Sequence, residues 1–433
     1  MQFNELALHP AILAALAEQG YQSPTPIQAQ TIPLILAGRD VLGGAQTGTG
    51  KTAAFTLPML QLLLNTPKPL KPKQVRSLIL TPTRELAQQV ADNVHAYGRH
   101  LPLRFGVFYG GVSINPQLEL AAQGLDILIA TPGRLLDHLH QGALDLFQLE
   151  VLVLDEADRM LDMGFIHDIK RIMAKLPQTR QTLLFSATFS KEIKELADSL
   201  LNQPVLVEVA RANSTASAVT QIAYRVDSQR KREFLSELIG KKNWQQVLIF
   251  VRTKTGADRL CKQLALDGIE AQPIHGDKSQ GHRLKVLQEF KNNTLRVLVA
   301  TDIAARGLDI DDLPIVINYD MPHQAEDYVH RIGRTGRAGK EGHALSLVTP
   351  DDLPMLQAIE KLTHQVIPQQ VLAGYEHDPR FNHSSKGTHK ANPVDDGWDE
   401  VKPKKKVSNS KKLSQEKARL RAELLGKKRP RNP

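Results

Sequence analysis

The chain has a single cysteine, Cys261, among its 433 residues. An intramolecular disulfide is therefore impossible, and so is a cysteine-based metal site. Inside the helical pattern ADRLCKQLALDG, Cys261 reads as a small buried hydrophobe, ahead of a reactive thiol. Aromatic residues make up only 5%, which argues against a protein that reads nucleic-acid sequence by base stacking. No apolar run approaches the roughly 18 residues of a membrane span, and MQFNELALHP lacks the basic start and apolar stretch of a secretion signal. A soluble, non-secreted protein with no membrane partner is expected. The 15 histidines show no HExxH spacing, so most read as surface or turn residues.

Excess charge of one sign is also missing from most of the chain. Thirteen Lys or Arg against two Glu fall between Val401 and Pro433, an excess larger than the net +9 of the whole. The other 400 residues are therefore slightly acidic, and the basic character belongs to a tail. From Tyr375 onward Asn, Ser, Lys, Pro and Gly dominate, too little apolar area to offset chain entropy, so disorder is expected there. KLSQEKARLRAELLGKK could form a helix on a partner. KPKKK and GKKRPR would add salt-dependent, non-specific affinity for nucleic acid, the alternative being a solubilising appendage.

What the chain does have is a recurring pattern of short Val, Ile and Leu runs, each followed by a turn and a helix-like stretch. They lie at Leu78–Leu80, Ile127–Ile129, Val151–Leu154, Leu183–Phe185, Val247–Phe250, Val297–Val299 and Ile315–Ile317. Such runs suit strands buried on both faces of a parallel sheet, which gives an α/β class. LILTPTR from Leu78 echoes LIFVRTK from Leu248, and ILIAT from Ile127 echoes VLVAT from Val297, both at an offset of 170 residues. One α/β unit is expected to occur twice. The Ala, Ser, Thr and Asn of VEVARANSTASAV mark the joint. Domain one is placed at 1–207, a linker at 208–218, domain two at 219–365 and the basic tail at 366–433.

AQTGTGKT carries the sharpest local chemistry: Ala45, Gln46, Thr47, Gly48, Thr49, Gly50, Lys51 and Thr52 follow Val41 and Leu42 and precede a helical pattern. Its glycines let backbone amides close around phosphates, Lys51 can reach the β and γ phosphates, and the Thr52 hydroxyl can ligate magnesium. Ala45 stands where the general pattern has its first glycine. A hundred residues on, VLVLDEAD delivers Asp155 and Glu156 to the carboxyl end of a strand, the edge at which open α/β sheets bind ligands. Asp155 would hold magnesium and Glu156 would orient and deprotonate a water. HRIGRTGRAG then supplies Arg331, Arg334 and Arg337 as cations for the transferred phosphoryl group, with Arg334 and Arg337 favoured. Because they fall in the second domain, hydrolysis is expected to require closure of the two.

Taken together these strings resemble the DEAD-box RNA helicases, in order, over about residues 1 to 350. Phe3 precedes GYQSPTPIQ, which is similar to that family's adenine-reading Q motif. The resemblance implies that Gln28 makes two hydrogen bonds to adenine while Tyr21 stacks on it. PTRELA, Gly110 with Gly111, TPGR, DEAD, SAT, Gln280 with Arg283, ATDIAARGLDI and the arginine motif follow in register. LIFVRTK departs from the pattern, with Arg252 where the family often has Asn.

By resemblance, two tandem RecA-like domains bind ATP with Mg2+ and RNA. Arg84, Gly111, Thr131, Arg134, Gln280, Arg283 and Thr301 would contact RNA, Asp309 the ATP ribose, and Ser186 and Thr188 would couple hydrolysis to unwinding. LDMGF to SATFS and the basic tail look most like the bacterial RhlE-like subgroup. A cytoplasmic enzyme acting on ribosomal precursors or RNA-turnover complexes would be typical of the family. The alternatives are an ATP-gated RNA clamp or assembly factor built from the same motifs, and a DNA-dependent motor.

Overall fold

Uninterrupted Val, Ile and Leu runs have no polar face to turn to water, so each strand they form must be covered on both sides. In the computed structural model they build two sheets with helices on both faces. The structure describes residues 1–44, 48–209, 219–305, 310, 312–336 and 342–376. Ala45, Gln46, Thr47, Asp309, Arg337, most of the 208–218 linker and the basic tail lie outside the described residues.

The first lobe contains β1 (Val41–Gly44), β2 (Val75–Leu80), β3 (Phe105–Phe108), β4 (Leu125–Ala130), β5 (Val151–Leu154), β6 (Gln181–Ser186) and β7 (Val205–Glu208). The second contains β8 (Val219–Arg225), β9 (Val247–Phe250), β10 (Ala271–Ile274), β11 (Val297–Ala300), β12 (Ile315–Asn318), β13 (Gly342–Val348) and β14 (Gln369–Val371). The strand orders are β3-β4-β2-β5-β6-β1-β7 and β10-β11-β9-β12-β13-β8-β14, the same order once seven is added to each number. One unit therefore does occur twice, and the echoing strings fall on its equivalent strands, β2 with β9 and β4 with β11. Every pairing between these strands is parallel.

Alternation along each strand feeds two cores. On β2, Ile79 packs with Phe55 and Leu60 of helix Lys51–Asn65, whereas Leu78 and Leu80 pack with Leu135 and Ile169 on the other side. On β9, Ile249 and Leu248 divide in the same way. At the amino edge of the first sheet, Arg76 is 1% exposed and bridges Asp126 at 3.1 Å and Glu150 at 2.7 Å. These contacts tie β2, β4 and the start of β5 together and leave the carboxyl edge for function.

One boundary needs correction. The placement of the second domain's end at 365, with a tail from 366, is too early, because β14 extends the sheet at β8 and Tyr375 packs into the core. Gln369 and Gln370 give no apolar run, and the three-residue edge strand is exposed along its length, so the sequence carries no strand signal there. Among the described residues, no helix is long and apolar enough to cross a membrane.

Cys261 sits in helix Lys254–Leu266 at 6% exposure, and burial pushes its thiol up to about 12. A raised thiol pKa leaves the group protonated at pH 8, and the protonated thiol is a poor nucleophile. Iodoacetamide should therefore leave Cys261 intact in the native protein at pH 8 and modify it only after unfolding in urea. Fast alkylation of the native chain, read by intact mass, would contradict this burial.

Candidate nucleotide and RNA site

The carboxyl ends of β5, β6 and β1 lie side by side in the first sheet, and each ends in a functional turn. β1 runs toward Gly48 and Gly50, both in the left-handed region at φ +83° and +92°, where a side chain would be strained. Lys51 opens the following helix, is 6% exposed, and its Nζ has no hydrogen-bond partner among the described residues. Thr52 is next on the same turn. Ammonium groups are rarely buried unless paired, and here the charges interacting with Lys51 are those of Asp155 and Glu156.

β5 ends at Asp155 and Glu156, which are 3% and 7% exposed. Burial pushes the Asp155 carboxyl up to about 6, against the pull of Lys51. Burial pushes Glu156 upward too, but Arg159, Lys51 and Arg334 together outweigh it and hold the group down to about 2. The adjacent carboxylates move apart because Glu156 alone has an arginine in contact, the Nη1 of Arg159. Glu156 also takes φ +53°, a left-handed conformation for a non-glycine residue, and from there it starts helix Ala157–Asp162. Asp158, one turn on, accepts hydrogen bonds from Ala187 N at 3.0 Å, Thr188 N at 3.1 Å and Thr188 Oγ1 at 3.2 Å. Ser186 Oγ donates to Thr188 O at 2.7 Å, so the turn after β6 is fixed to the acidic turn after β5.

The second lobe completes the cleft. Its lining includes Lys51, Glu156 and Arg159 from the first lobe with His330 and Arg334 from the second. Arg334 is 5% exposed. Arg331 is committed elsewhere: it grips both Asp302 oxygens at 2.6 and 2.7 Å, donates to Asn318 Oδ1 and Asp320 O, and lies over the Phe250 ring. Of the three arginines in the string, Arg331 is thus a structural tie between turns and Arg334 faces the cleft.

Gln28 borders the same loop. Its Oε1 accepts from Thr25 N at 2.9 Å, which caps helix Pro26–Leu36, and its Nε2 donates to Gly50 O at 3.1 Å. One N–H and one lone pair of the amide are left over. Tyr21 is 48% exposed, with its ring 6.2 Å from that of Tyr97, and Phe3 is buried in the adjoining core.

The other half of the sheet edge, β3-β4-β2, carries the first-lobe RNA candidates. Arg84 packs on Gly111 so closely that a Cβ there would lie 1.9 Å from its Nη1, and Gly111 has φ +80°. Thr131 precedes helix Pro132–His140, on which Arg134 donates to Gln117 Oε1 at 3.2 Å and to Val112 O at 3.1 Å. In the second lobe Gln280, Arg283 and Thr301 follow β10 and β11, the equivalent strands. Arg283 reaches across to Glu85 at 3.1 Å, an ion pair 10% and 5% exposed that joins the lobes. The Gln280 amide is buried without a partner among the described residues. Arg252 points away from this group, donating to Met321 O at 3.3 Å near Asp352.

Comparison with known proteins follows this geometry. Residues 25–196 match the family model described as DEAD/DEAH box helicase, and residues 230–339 match the helicase conserved C-terminal domain. The chain is 45% identical to the ATP-dependent RNA helicase CshA of Limosilactobacillus reuteri over 363 residues, covering 84% of this chain and 72% of the relative. It is 44% identical to the DEAD-box ATP-dependent RNA helicase RhpA of Helicobacter pylori, covering 83% and 72%. The chain belongs to the DEAD-box helicases. Among solved structures it is similar to S. cerevisiae Dbp5 bound to RNA and ADP BeF3, with a TM-score of 0.76, 32% identity and coverage of 86% of this chain and 95% of that one.

Three residues of this DEAD-box chain bear on the site without having been singled out from the sequence: Arg159, Glu85 and Gln117. Arg159 directly follows DEAD and Glu85 lies inside PTRELA, so a search for countercharges next to each motif would have found both. Gln117 falls in no motif.

Gly50→Ala tests the loop. A methyl at φ +92° costs about 1–2 kcal/mol for the left-handed backbone. It would also lie 2.4 Å from Gln28 Nε2 and displace that amide. Weaker binding of a fluorescent ATP analogue together with lower stability in urea is expected. Nucleotide affinity equal to wild type would contradict the packing of Gln28 on this loop.

Proposed function

We propose that this chain is an RNA-stimulated ATPase that couples ATP hydrolysis to local unwinding of RNA duplexes or remodelling of RNA-protein complexes. One observation carries the reading. The Lys51 ammonium, without a hydrogen bond among the described residues, and the buried Asp155 and Glu156 stand on one lobe, and Arg334 of the other lobe lines a single cleft with Lys51 and Glu156. An anion completes that charge arrangement, and a terminal phosphate supplies it.

ATP lies along residues 45–52, with Lys51 on its phosphates, Gln28 and Tyr21 on the adenine and Asp309 on the ribose. The leftover N–H and lone pair of Gln28 match the donor-acceptor edge of adenine. Thr52 and Asp155 are the oxygen ligands suited to Mg2+, which when bound neutralises charge on the phosphates. Glu156 orients and deprotonates the attacking water, and Arg334 with Arg337 stabilises the charge that develops on the transferred group. Single-stranded RNA crosses both lobes along Arg84, Gly111, Thr131, Arg134, Gln280, Arg283 and Thr301, through phosphates and sugar hydroxyls. Thr188, bonded to Asp158, and Ser186, whose hydroxyl donates to Thr188 O, carry the state of the nucleotide turn to the rest of the lobe.

The likeness to a helicase holding RNA and ADP BeF3 spans both lobes, which supports this as the engaged arrangement. The lobes are residues 1–207 and 219 to Tyr375, joined by 208–218. The chain is of the RhlE-like bacterial subgroup and cytoplasmic, with ribosomal precursors or RNA-turnover complexes as substrates and the basic tail as a non-specific RNA anchor.

Steady-state ATP hydrolysis with and without single-stranded RNA tests the reading, with Glu156→Gln and Arg334→Ala beside the wild type. Loss of roughly 10²-fold or more in RNA-stimulated kcat is expected in both, the scale of a removed general base or arginine finger. Full activity in Arg334→Ala would overturn a site shared between lobes. Strand displacement by the wild type separates unwinding from a clamp, which would hold RNA and ATP without releasing a strand.

A further inference from the structure

Three short segments meet at the RNA half of the first lobe, and one buried side chain touches them all. Gln117, on helix Asn115–Gln123, is 6% exposed. Its Oε1 accepts from Arg134 Nη1 at 3.2 Å and lies 3.2 Å from His138 Nε2, both on helix Pro132–His140. Its Nε2 donates to Tyr109 O at 3.2 Å, the residue before Gly110 and Gly111. Arg134 reaches the same loop directly through Val112 O.

Only one orientation of the amide satisfies these partners. A guanidinium N–H must meet an oxygen and a carbonyl must meet an N–H, so Oε1 faces Arg134 and Nε2 faces Tyr109. His138 is fully buried and stacked on Phe108 at 4.6 Å, and toward an oxygen that only accepts, its Nε2 must be the donor. The ring behind the amide thus fixes the oxygen from which Arg134 is held. Arg134 retains 10% side-chain exposure, and besides Gln117 and Val112 it meets the exposed Asp137 of its own helix at 3.5 Å.

We infer that Gln117 is a positioning residue for RNA binding, a buried amide that aims Arg134 and holds the Gly110–Gly111 turn beneath the same stretch of RNA backbone. The inference rests on the proposed function, in which Arg134 and Gly111 contact RNA. Gln117 itself touches neither RNA nor nucleotide. It lies on the far half of the sheet edge from Lys51 and Glu156, so its loss should change RNA binding and leave nucleotide chemistry alone.

The test compares Gln117→Leu, Gln117→Glu, Arg134→Ala and the double variant Gln117→Leu with Arg134→Ala. The readout is ATPase stimulation of the full chain by a single-stranded oligouridylate. Gln117→Leu should raise the RNA concentration for half-maximal stimulation roughly tenfold, about 1.4 kcal/mol, with the KM for ATP and kcat at saturating RNA near wild type. Gln117→Glu keeps an oxygen toward Arg134 but sets a second acceptor against Tyr109 O and a buried charge against Arg134, so it too should raise the RNA requirement. In the double variant the shift should fall well short of the sum of the two singles, because both act through one contact.

An unchanged RNA requirement in Gln117→Leu, with Arg134→Ala impaired, overturns the inference and leaves the proposed function standing. So does full additivity, or a loss of kcat with no change in RNA requirement. An unchanged RNA requirement in Arg134→Ala instead removes the RNA reading of this face. If Gln117→Leu fails to fold, the Gln117→Glu comparison decides in the same way.

Discussion

The structure turns on one buried positive charge, the ammonium of Lys51. Lys51 Nζ lies beside two buried carboxylates, yet no hydrogen bond reaches it from the described residues. Taking an ammonium out of water costs several kcal/mol, which the neighbouring carboxylates offset in part and a bound anion of suitable geometry would offset further. Glu156 is held by Arg159 and Asp158 is bonded to the turn after β6, so the polar groups around Lys51 are already fixed. A site whose polar groups are already fixed needs little rearrangement at the moment of reaction.

The duplicated sheet explains how a nucleotide and a polymer are handled at once. In each lobe the strand order puts two groups of strand ends on one edge. In the first lobe β5-β6-β1 carry the nucleotide turns and β3-β4-β2 carry Arg84, Gly111 and Arg134. In the second lobe Arg331 and Arg334 follow β12, while Gln280, Arg283 and Thr301 follow β10 and β11. Facing lobes therefore match nucleotide half to nucleotide half and the half proposed for RNA to its counterpart. The Arg283–Glu85 ion pair joins the lobes on one half, and Arg334 and Glu156 line one cleft on the other. In the proposed function, closure that assembles one would act on the other, which gives coupling a physical form.

Much of this was legible in the sequence, for identifiable reasons. Strands buried on both faces announce themselves as unbroken Val, Ile and Leu runs, and the 170-residue echo marked the duplication. Edge strands did not: FGVF at β3, AQPI at β10 and QQV at β14 are short, partly or fully exposed and compositionally plain. The site residues were legible as strings because phosphate cradles and strand-end carboxylates impose residue types at fixed spacing. Pairings between distant segments were not. That Asp302 occupies Arg331, that Glu85 meets Arg283 and that Gln117 joins two turns depends on which strand ends the fold makes neighbours. No local spacing encodes that choice.

The central claim is that hydrolysis occurs when the two lobes close around ATP and RNA together. Distance between lobes, read by energy transfer while hydrolysis is followed in the same cuvette, tests it most directly. One dye would be placed on an exposed position in each lobe, Gln19→Cys and Lys242→Cys, with Cys261 buried and out of reach of the label. The account predicts a change in transfer when ATP and single-stranded RNA are both present, little with either alone, and hydrolysis that rises with the population of the changed state. RNA-stimulated hydrolysis at full rate with no change in transfer would contradict it.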